Sequence, residues 1–152
     1  LFEIFETISL TPGAKELVHS MRANGAHCVL ISGGFSYFTS RIAEICGFHE
    51  HHANQLDVQN DRLTGRIIKP ILDAKAKHAH LQRLIFELGL KLEDTTAVGD
   101  GANDVEMLKA AGLGVAFKGK PIAVKAAKAR IDFSDLRALL FYQGYELDEF
   151  VQ

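Results

Sequence analysis

The stretch that decides the fold is Val98-Gly99-Asp100-Gly101-Ala102-Asn103-Asp104-Val105-Glu106-Met107. Residues 95–98 are β-branched or apolar enough to predict a buried parallel strand, and the apolar residues after Asp104 recur at helical spacing. The side chains of Asp100, Asn103 and Asp104 therefore lie in a predicted turn between a strand and a helix. In an open α/β sheet, ligands bind outside the carboxyl ends of the strands. This turn is accordingly a candidate functional site.

The ligand chemistry of the turn indicates the cofactor. It offers two carboxylates and a carboxamide, with no His or Cys among them. Hard oxygen ligands of this kind suit Mg²⁺ rather than zinc. The sequence therefore predicts a magnesium site, and the alternative that the residues leave open is an Asp-, Gly- and Asn-rich turn with solvated charges.

The composition is typical of one globular domain. The chain has 152 residues, of which 47% are hydrophobic, enough for a sizeable core. The net charge of -2, with Lys and Arg spread along the chain, indicates no nucleic-acid partner. No apolar run approaches the roughly 20 residues of a membrane span. We therefore expect a cytoplasmic protein in which Cys28 and Cys46 are reduced and buried, and in which His49, His51 and His52 form a solvated loop.

Helical and strand patterns alternate along the chain. Thr11 as N-cap and Pro12 at the first helical position predict the start of a helix. Residues 28–31 form a predicted strand that Ser32-Gly33-Gly34 ends, and residues 53–68 predict a β-hairpin. Further predicted elements are a helix at 73–88, a strand at 95–98, a helix at 103–111, a strand at 113–117, a helix at 122–127 and a strand near 130–133. The pattern predicts an α/β fold with a doubly wound, mainly parallel sheet and a small β-hairpin insertion.

A second candidate site follows the strand at residues 28–31. The Ser32-Gly33-Gly34 turn offers a hydroxyl and backbone N–H groups at the start of a helix, which is an arrangement that binds anions. The alternative is a helix cap and tight turn without a ligand. A phosphate beside Mg²⁺ also needs a positive side chain, and the helix that begins near residue 73 offers Lys75 and Lys77. Chain order alone does not choose between these two lysines.

These motifs resemble the haloacid dehalogenase-like phosphatases, and within them the phosphoserine phosphatase branch. The resemblance rests on Ile31-Ser32-Gly33-Gly34-Phe35, on Ala76-Lys77 and on the acidic turn 98–104, which occur in the order that the family requires. Leu10-Thr11-Pro12-Gly13-Ala14 and Arg62-Leu63-Thr64-Gly65 also match that branch. The resemblance spans nearly the whole chain and favours Lys77 over Lys75, because the family pattern places the Lys directly after the Ala.

The resemblance implies a Rossmann-like core and a Mg²⁺-dependent hydrolysis of O-phosphoserine to serine and phosphate. The implied reaction passes through an aspartyl-phosphate intermediate and belongs to serine biosynthesis. The resemblance also implies roles for individual residues. Ser32 and Gly33 would bind the substrate phosphate, Lys77 would neutralise its charge, and Asn103 would contact the phosphoryl site. Asp100 would bind Mg²⁺, and Asp104 would be a supporting carboxylate that orients a metal-bound water or a neighbouring side chain.

The sequence departs from the family in one motif. No Asp opens the Asp-x-Asp-x-Thr pattern that supplies the nucleophile and the general acid. We therefore expect residues 1–152 to be the C-terminal portion of a phosphatase core, with 1–10 as the end of a cap region, and without the central first strand and most of the helical cap. Such a chain is expected to be inactive alone and to be unstable or to associate into a homo-oligomer through an exposed strand edge. Two alternatives stay open, namely another phosphomonoesterase or phosphotransferase of the same superfamily and a non-catalytic phosphate-binding module.

Overall fold

The computed structural model describes residues 1–151 as alternating helices and strands. The strands are β1 Val29–Phe35, β2 Glu50–Gln59, β3 Arg62–Ile68, β4 Thr96–Gly99, β5 Leu113–Phe117 and β6 Ala129–Ile131. The α-helices are α1 Phe2–Glu6, α2 Ala14–Ala23, α3 Ser36–Cys46, α4 Ala74–Glu87, α5 Val105–Ala110, α6 Pro121–Ala126 and α7 Ala138–Tyr142. These elements form two compact units, one made of Leu1–Leu72 with the segment from Asp135 onward, and the other of Asp73–Ser134.

The first unit is built on a three-stranded sheet in the order β1-β2-β3. β1 and β2 are parallel, whereas β2 and β3 form an antiparallel hairpin. The parallel pairing shifts register between Ile31 and Phe35, where Phe35 lies opposite Asn54. The C-terminal segment also belongs to this unit, because the Val151 N–H donates a hydrogen bond to Oγ of the buried Ser20 at 2.8 Å.

The second unit is built on a fully parallel sheet in the order β4-β5-β6. Parallel strands are covered on their faces by the helices that connect them. Here α4, α5 and α6 enclose an apolar core that includes Leu81, Ala97, Leu108 and Ala123. Leu108 is completely buried, so this core fixes the start of α5 and the loop before it.

The structure confirms the α/β class and the mainly parallel strand pairing. The predicted β-hairpin, the strand at 113–117 and the helix over 73–88 are present with boundaries within a few residues of those expected. The strands described within residues 1–151 form two three-stranded sheets, in which β1 and β4 each pair with one other described strand. The assignment of residues 1–152 to one phosphatase core stays a prediction.

Three local predictions are wrong. Helix α2 begins at Ala14, because Gly13, with a φ of +82°, occupies the N-cap position that was expected for Thr11. β1 continues through the Ser-Gly-Gly turn to Phe35, since the glycines tolerate the irregular register without ending the strand. The expected solvated histidine loop is largely strand, because His51 and His52 belong to β2.

Two observations within residues 1–151 concern membrane spans and clusters of metal-binding side chains. None of the described helices is long and apolar enough to cross a membrane. The described residues also contain no group of three or more His, Cys, Asp or Glu side chains arranged to hold a metal ion. The histidines near the start of β2 instead pair locally, with His27 stacked on His49 at a centroid separation of 4.6 Å.

Both cysteines should resist modification in the folded protein. Burial raises the pKa of the Cys28 thiol to about 11, and burial also raises the pKa of Cys46. Because the thiolate is the reactive form, we expect both residues to react with iodoacetamide at pH 8 at least about tenfold more slowly in the folded protein than in urea. Mass spectrometry of the alkylated peptides measures both rates. Cys46 is buried as expected, whereas Cys28, which directly precedes β1, is only half-buried. Rapid labelling of Cys28 in the folded protein would contradict the raised pKa of its thiol.

Candidate active site

Asp104 is the centre of the acidic turn and is almost completely buried, with 2% of its surface exposed. It ends the 3₁₀ turn Ala102–Asp104 that connects β4 to α5. Its Oδ1 accepts a hydrogen bond from Lys77 Nζ at 2.6 Å. Its Oδ2 accepts hydrogen bonds from the backbone N–H groups of Asp100 at 3.0 Å and Gly101 at 3.1 Å. One carboxylate therefore holds both the lysine and the backbone of the turn.

The pKa of Asp104 reflects two opposing effects. Burial raises the pKa of the carboxyl, but the hydrogen bonds from Lys77 and from the two backbone amides outweigh this effect and hold the pKa below its usual value. Asp104 is therefore ionised at neutral pH.

Lys77 reaches this position because of where α4 begins. Asp73 is the N-cap of α4, and its Oδ1 accepts a hydrogen bond from the Ala76 N–H at 2.9 Å. Lys77 follows in the first turn and is 7% exposed, whereas Lys75 is on the exposed surface. An ammonium group has three N–H donors, and Asp104 accepts one of them. The structure thus distinguishes the two candidate lysines by burial and by partner.

The last residue of β4 must be glycine for this arrangement to form. A Cβ atom on Gly99 would lie 2.4 Å from Cβ and 2.5 Å from Cγ of Asp104. Such contacts are far inside van der Waals distance, so the Asp104 side chain depends on the absence of a side chain at Gly99. The Gly-Asp-Gly pattern therefore has a packing requirement at its first glycine.

Asp100 has a fixed backbone and a free side chain. Its N–H donates to Asp104 and its carbonyl oxygen accepts from the Lys120 N–H at 2.8 Å. The Asp100 carboxylate is exposed and accepts no hydrogen bond from residues 1–151. The Asn103 side chain is also exposed, and its Oδ1 would lie 3.2 Å from a Cβ placed on Gly101.

These residues fit Mg²⁺ as a partial ligand set. Asp100 offers a hard oxygen ligand without a competing hydrogen bond, whereas both oxygens of Asp104 already have donors. Mg²⁺ in proteins commonly takes one or two carboxylates and completes its shell with water and substrate phosphate oxygens. The exposed carboxylate of Asp100 is therefore suited to this ion, and Asp104 is suited to a supporting position.

Ser32 and Gly33 belong to the first unit, at the end of the regular pairing between β1 and β2. The Gly34 N–H donates a hydrogen bond to Ser32 Oγ at 3.0 Å. Because Oγ is the acceptor in this bond, the hydroxyl hydrogen is available to another acceptor. Gly33 and Gly34 are exposed, so a ligand can approach the backbone here.

Sequence reasoning missed Asn54, a buried residue of β2. Its Nδ2 donates a hydrogen bond to the Gly33 carbonyl oxygen at 2.8 Å, and its Oδ1 accepts one from the Leu72 N–H at 2.7 Å. Asn is depleted in strands, so an Asn inside an otherwise β-like run was the signal in the sequence. The structure brings Lys77, Asp100, Asn103 and Asp104 together around one loop of the second unit and places Ser32, Gly33 and Asn54 in the first; the roles of these residues stay predictions.

Comparisons with known proteins agree with these motifs. The model of the haloacid dehalogenase-like hydrolase family matches residues 1–109. The chain is 42% identical over 139 residues to a phosphoserine phosphatase of Archaeoglobus fulgidus, covering 91% of this chain and 40% of the relative. It is 39% identical over 140 residues to a phosphoserine phosphatase of Idiomarina loihiensis, covering 92% of this chain and 64% of the relative. The chain therefore spans 40% and 64% of the length of these curated relatives.

A solved structure gives the same result for the fold. The structure of a phospho-aspartyl intermediate analogue of a phosphoserine phosphatase superposes with a TM-score of 0.87 at 38% sequence identity. The match covers 93% of this chain and 68% of the other chain. At this identity the similarity extends beyond the fold to the family.

The packing of Gly99 predicts a contrast between two neighbouring glycines. Gly99→Ala should displace the Asp104 carboxylate and lower the free energy of unfolding by about 2–4 kcal/mol, because the buried charges lose their geometry. Gly101→Ala is the matched control, since Gly101 has a φ of -134° and its nearest contact is the end of the Asn103 side chain. We expect a change below about 1 kcal/mol for this control. Urea unfolding measures both, and equal losses would refute the contact.

The lowered pKa of Asp104 predicts a pH dependence. The folded carboxyl has a lower pKa than the unfolded one, so its contribution is present above about pH 4 and is lost as the pH falls through the folded pKa. Asp104→Asn should lower the free energy of unfolding by about 3–5 kcal/mol near pH 7, because Lys77 keeps a buried charge without its partner. The difference from the parent protein should shrink below about pH 4. A difference that stays constant down to pH 3 would contradict the ion pair.

Proposed function

The chain belongs to the haloacid dehalogenase-like hydrolases, and we propose that the protein to which it belongs is a phosphoserine phosphatase. It would hydrolyse O-phosphoserine to serine and phosphate through an aspartyl-phosphate intermediate. The observation that carries the proposal is the buried Lys77–Asp104 pair beside the exposed carboxylate of Asp100 at the end of a parallel strand. The identity of about 40% to phosphoserine phosphatases over more than nine-tenths of the chain supports the choice of substrate.

Lys77 is proposed to neutralise the phosphoryl group of the substrate. Phosphoryl transfer depends mainly on positioning and on electrostatic stabilisation of charge that spreads over the phosphoryl oxygens. A lysine with a fixed ammonium group supplies this stabilisation without reorganising during the reaction. Asp104 holds the ammonium in place at 2.6 Å and leaves two of its N–H donors for the phosphate.

Mg²⁺ is the proposed cofactor, with Asp100 as its ligand from this chain. When bound, Mg²⁺ would act as a Lewis acid on the phosphoryl group and compensate for its negative charge. The chain's own contribution is to aim the carboxylate, because the N–H and the carbonyl of Asp100 are both hydrogen-bonded. Asn103, on the same turn, is proposed to contact the phosphoryl site.

Ser32 and Gly33 are proposed to bind the phosphate of the substrate. The Ser32 hydroxyl hydrogen is available to an anionic oxygen because its oxygen already accepts from Gly34. The backbone of Gly33 is exposed, and because glycine has no side chain, a phosphate can approach this backbone closely. These groups would provide neutral hydrogen-bond donors for a phosphate oxygen.

The nucleophile is proposed to be an aspartate outside these 152 residues. Its carboxylate oxygen would attack phosphorus while the bond from phosphorus to the serine oxygen breaks, and the leaving oxygen would take a proton from a general acid. Water would then attack the aspartyl phosphate and release phosphate. The enzyme would act in serine biosynthesis in the cytoplasm.

Hydrolysis of O-phosphoserine by the protein expressed from its complete gene tests this proposal. We expect turnover that requires Mg²⁺ and a preference for O-phosphoserine over other phosphomonoesters such as O-phosphothreonine and p-nitrophenyl phosphate. Lys77→Ala should lower kcat/KM about a hundredfold or more, because the phosphoryl charge loses its stabilisation. Asp100→Asn should remove the Mg²⁺-dependent part of the turnover.

Lys75→Ala is the matched control, since Lys75 is exposed and two residues from Lys77 on the same helix. It should leave kcat/KM within about twofold of the parent protein. Equal losses from the two lysine variants would reject the assignment of Lys77. A broad profile without preference for O-phosphoserine would indicate another phosphomonoesterase of the superfamily, and phosphate binding without turnover would indicate a non-catalytic module.

A further inference from the structure

Asn54 links two backbone groups that are distant in sequence. It is 5% exposed, and its amide contacts the Gly33 carbonyl oxygen at 2.8 Å and the Leu72 N–H at 2.7 Å. One partner requires a donor and the other requires an acceptor. Among side chains of this size, only a carboxamide supplies both at neutral pH without a charge. The two contacts therefore explain why this strand position holds Asn.

The hydrogen bond from Asn54 to the Gly33 carbonyl oxygen restrains a whole peptide group. The Gly33 carbonyl and the Gly34 N–H belong to the same planar peptide group. Asn54 holds the carbonyl end of this group, and Ser32 Oγ holds the N–H end at 3.0 Å. Without the Asn54 contact, the two flexible glycines could rotate this peptide, and the hydrogen bond to Ser32 would be lost.

The bond to Ser32 in turn controls the serine hydroxyl. While Oγ accepts from Gly34, the hydroxyl hydrogen is directed away from that N–H and remains free for an anion. If the peptide rotated, the hydroxyl could instead donate to a nearby carbonyl oxygen. A donor occupied in this way contributes nothing to phosphate binding.

We propose that Asn54 is a positioning residue for phosphate, which fixes the Gly33–Gly34 peptide so that Ser32 presents its hydroxyl hydrogen to a phosphate oxygen. This inference rests on the proposed function for the identity of the bound group. It adds a residue that acts through Ser32 and does not itself touch the substrate. The Leu72 N–H restrains the oxygen end of the same Asn54 side-chain amide.

A double-mutant cycle between Asn54 and Ser32 tests the inference. Asn54→Asp keeps the size and the acceptor for Leu72 but lacks a donor for Gly33. It should weaken binding of inorganic phosphate, measured by calorimetry, and lower kcat/KM for O-phosphoserine, each about tenfold at pH 8. In the Ser32→Ala background the same substitution should cost at most about threefold, because the hydroxyl that Asn54 positions is gone and only the repulsion between the buried carboxylate and phosphate remains.

The control is Gln55→Glu, which makes the same change from carboxamide to carboxylate at the adjacent exposed position. It should leave both quantities unchanged. Asn54→Asp should also recover relative to the parent protein as the pH is lowered toward about 5, since a protonated carboxyl can again donate to Gly33. If Asn54→Asp does not fold, Asn54→Leu replaces it, because a side chain of similar size fills the same volume without a donor for Gly33.

The outcomes separate the inference from the proposed function. If the parent protein hydrolyses O-phosphoserine and a folded Asn54 variant retains its kcat/KM and phosphate affinity, only the inference is overturned. Additive losses with Ser32→Ala likewise overturn it, since they indicate a role in stability alone. If the parent protein hydrolyses no O-phosphoserine, the proposed function fails, and the phosphate-binding cycle still decides the role of Asn54. A parent protein that binds no phosphate overturns the inference as well.

Discussion

The ion pair between Lys77 and Asp104 is the interaction on which the candidate active site depends. Two buried charges are tolerated only when they are paired and when their remaining hydrogen-bonding groups are satisfied. Asp104 meets this condition with three donors, one from Lys77 and two from the backbone of its own turn. The pair therefore joins α4 to the loop after β4 and fixes the backbone that carries Asp100. A change in either partner alters the lysine and the acidic turn together.

The surrounding packing explains why this ion pair can form. The short β4 strand ends at Gly99, whose lack of a side chain admits Asp104 at a distance that no other residue allows. Immediately after the turn, α5 is fixed by the completely buried Leu108, whose backbone lies against Gly114 of β5. The turn is thus held between a required glycine on one side and the apolar core on the other. Its geometry is set by packing before any ligand binds.

Much of this could be predicted from the sequence because the relevant signals are local. The acidic turn follows an apolar strand, and the β-hairpin is marked by two β-like runs around a polar turn. Lys77 is buried and Lys75 is exposed, and this difference depends on how α4 packs. Helical spacing in the sequence could not show which of the two lysines is buried. The predicted start of α2 was wrong because Thr11 and Pro12 have the residue types of a helix start. The sequence did not show that Asp135 and Arg137 pack closely against Gly13, the residue at the actual N-cap. Asn54 was missed because its partners lie 21 and 18 residues away in the sequence.

In each of the two turns a side chain holds the backbone in place, but the two side chains differ in charge. Electrostatics explains this difference. In the acidic turn, a carboxylate holds the backbone, and the adjacent ammonium of Lys77 compensates for its charge. In the Ser-Gly-Gly turn, a neutral carboxamide holds the backbone, and its two hydrogen-bond partners, the Gly33 carbonyl and the Leu72 N–H, are uncharged. A carboxylate at position 54 would therefore be buried without compensation and would repel an anion at Ser32. A neutral donor is thus the group that can orient this turn without opposing a phosphate, which is the electrostatic reason for Asn at a strand position that otherwise disfavours it.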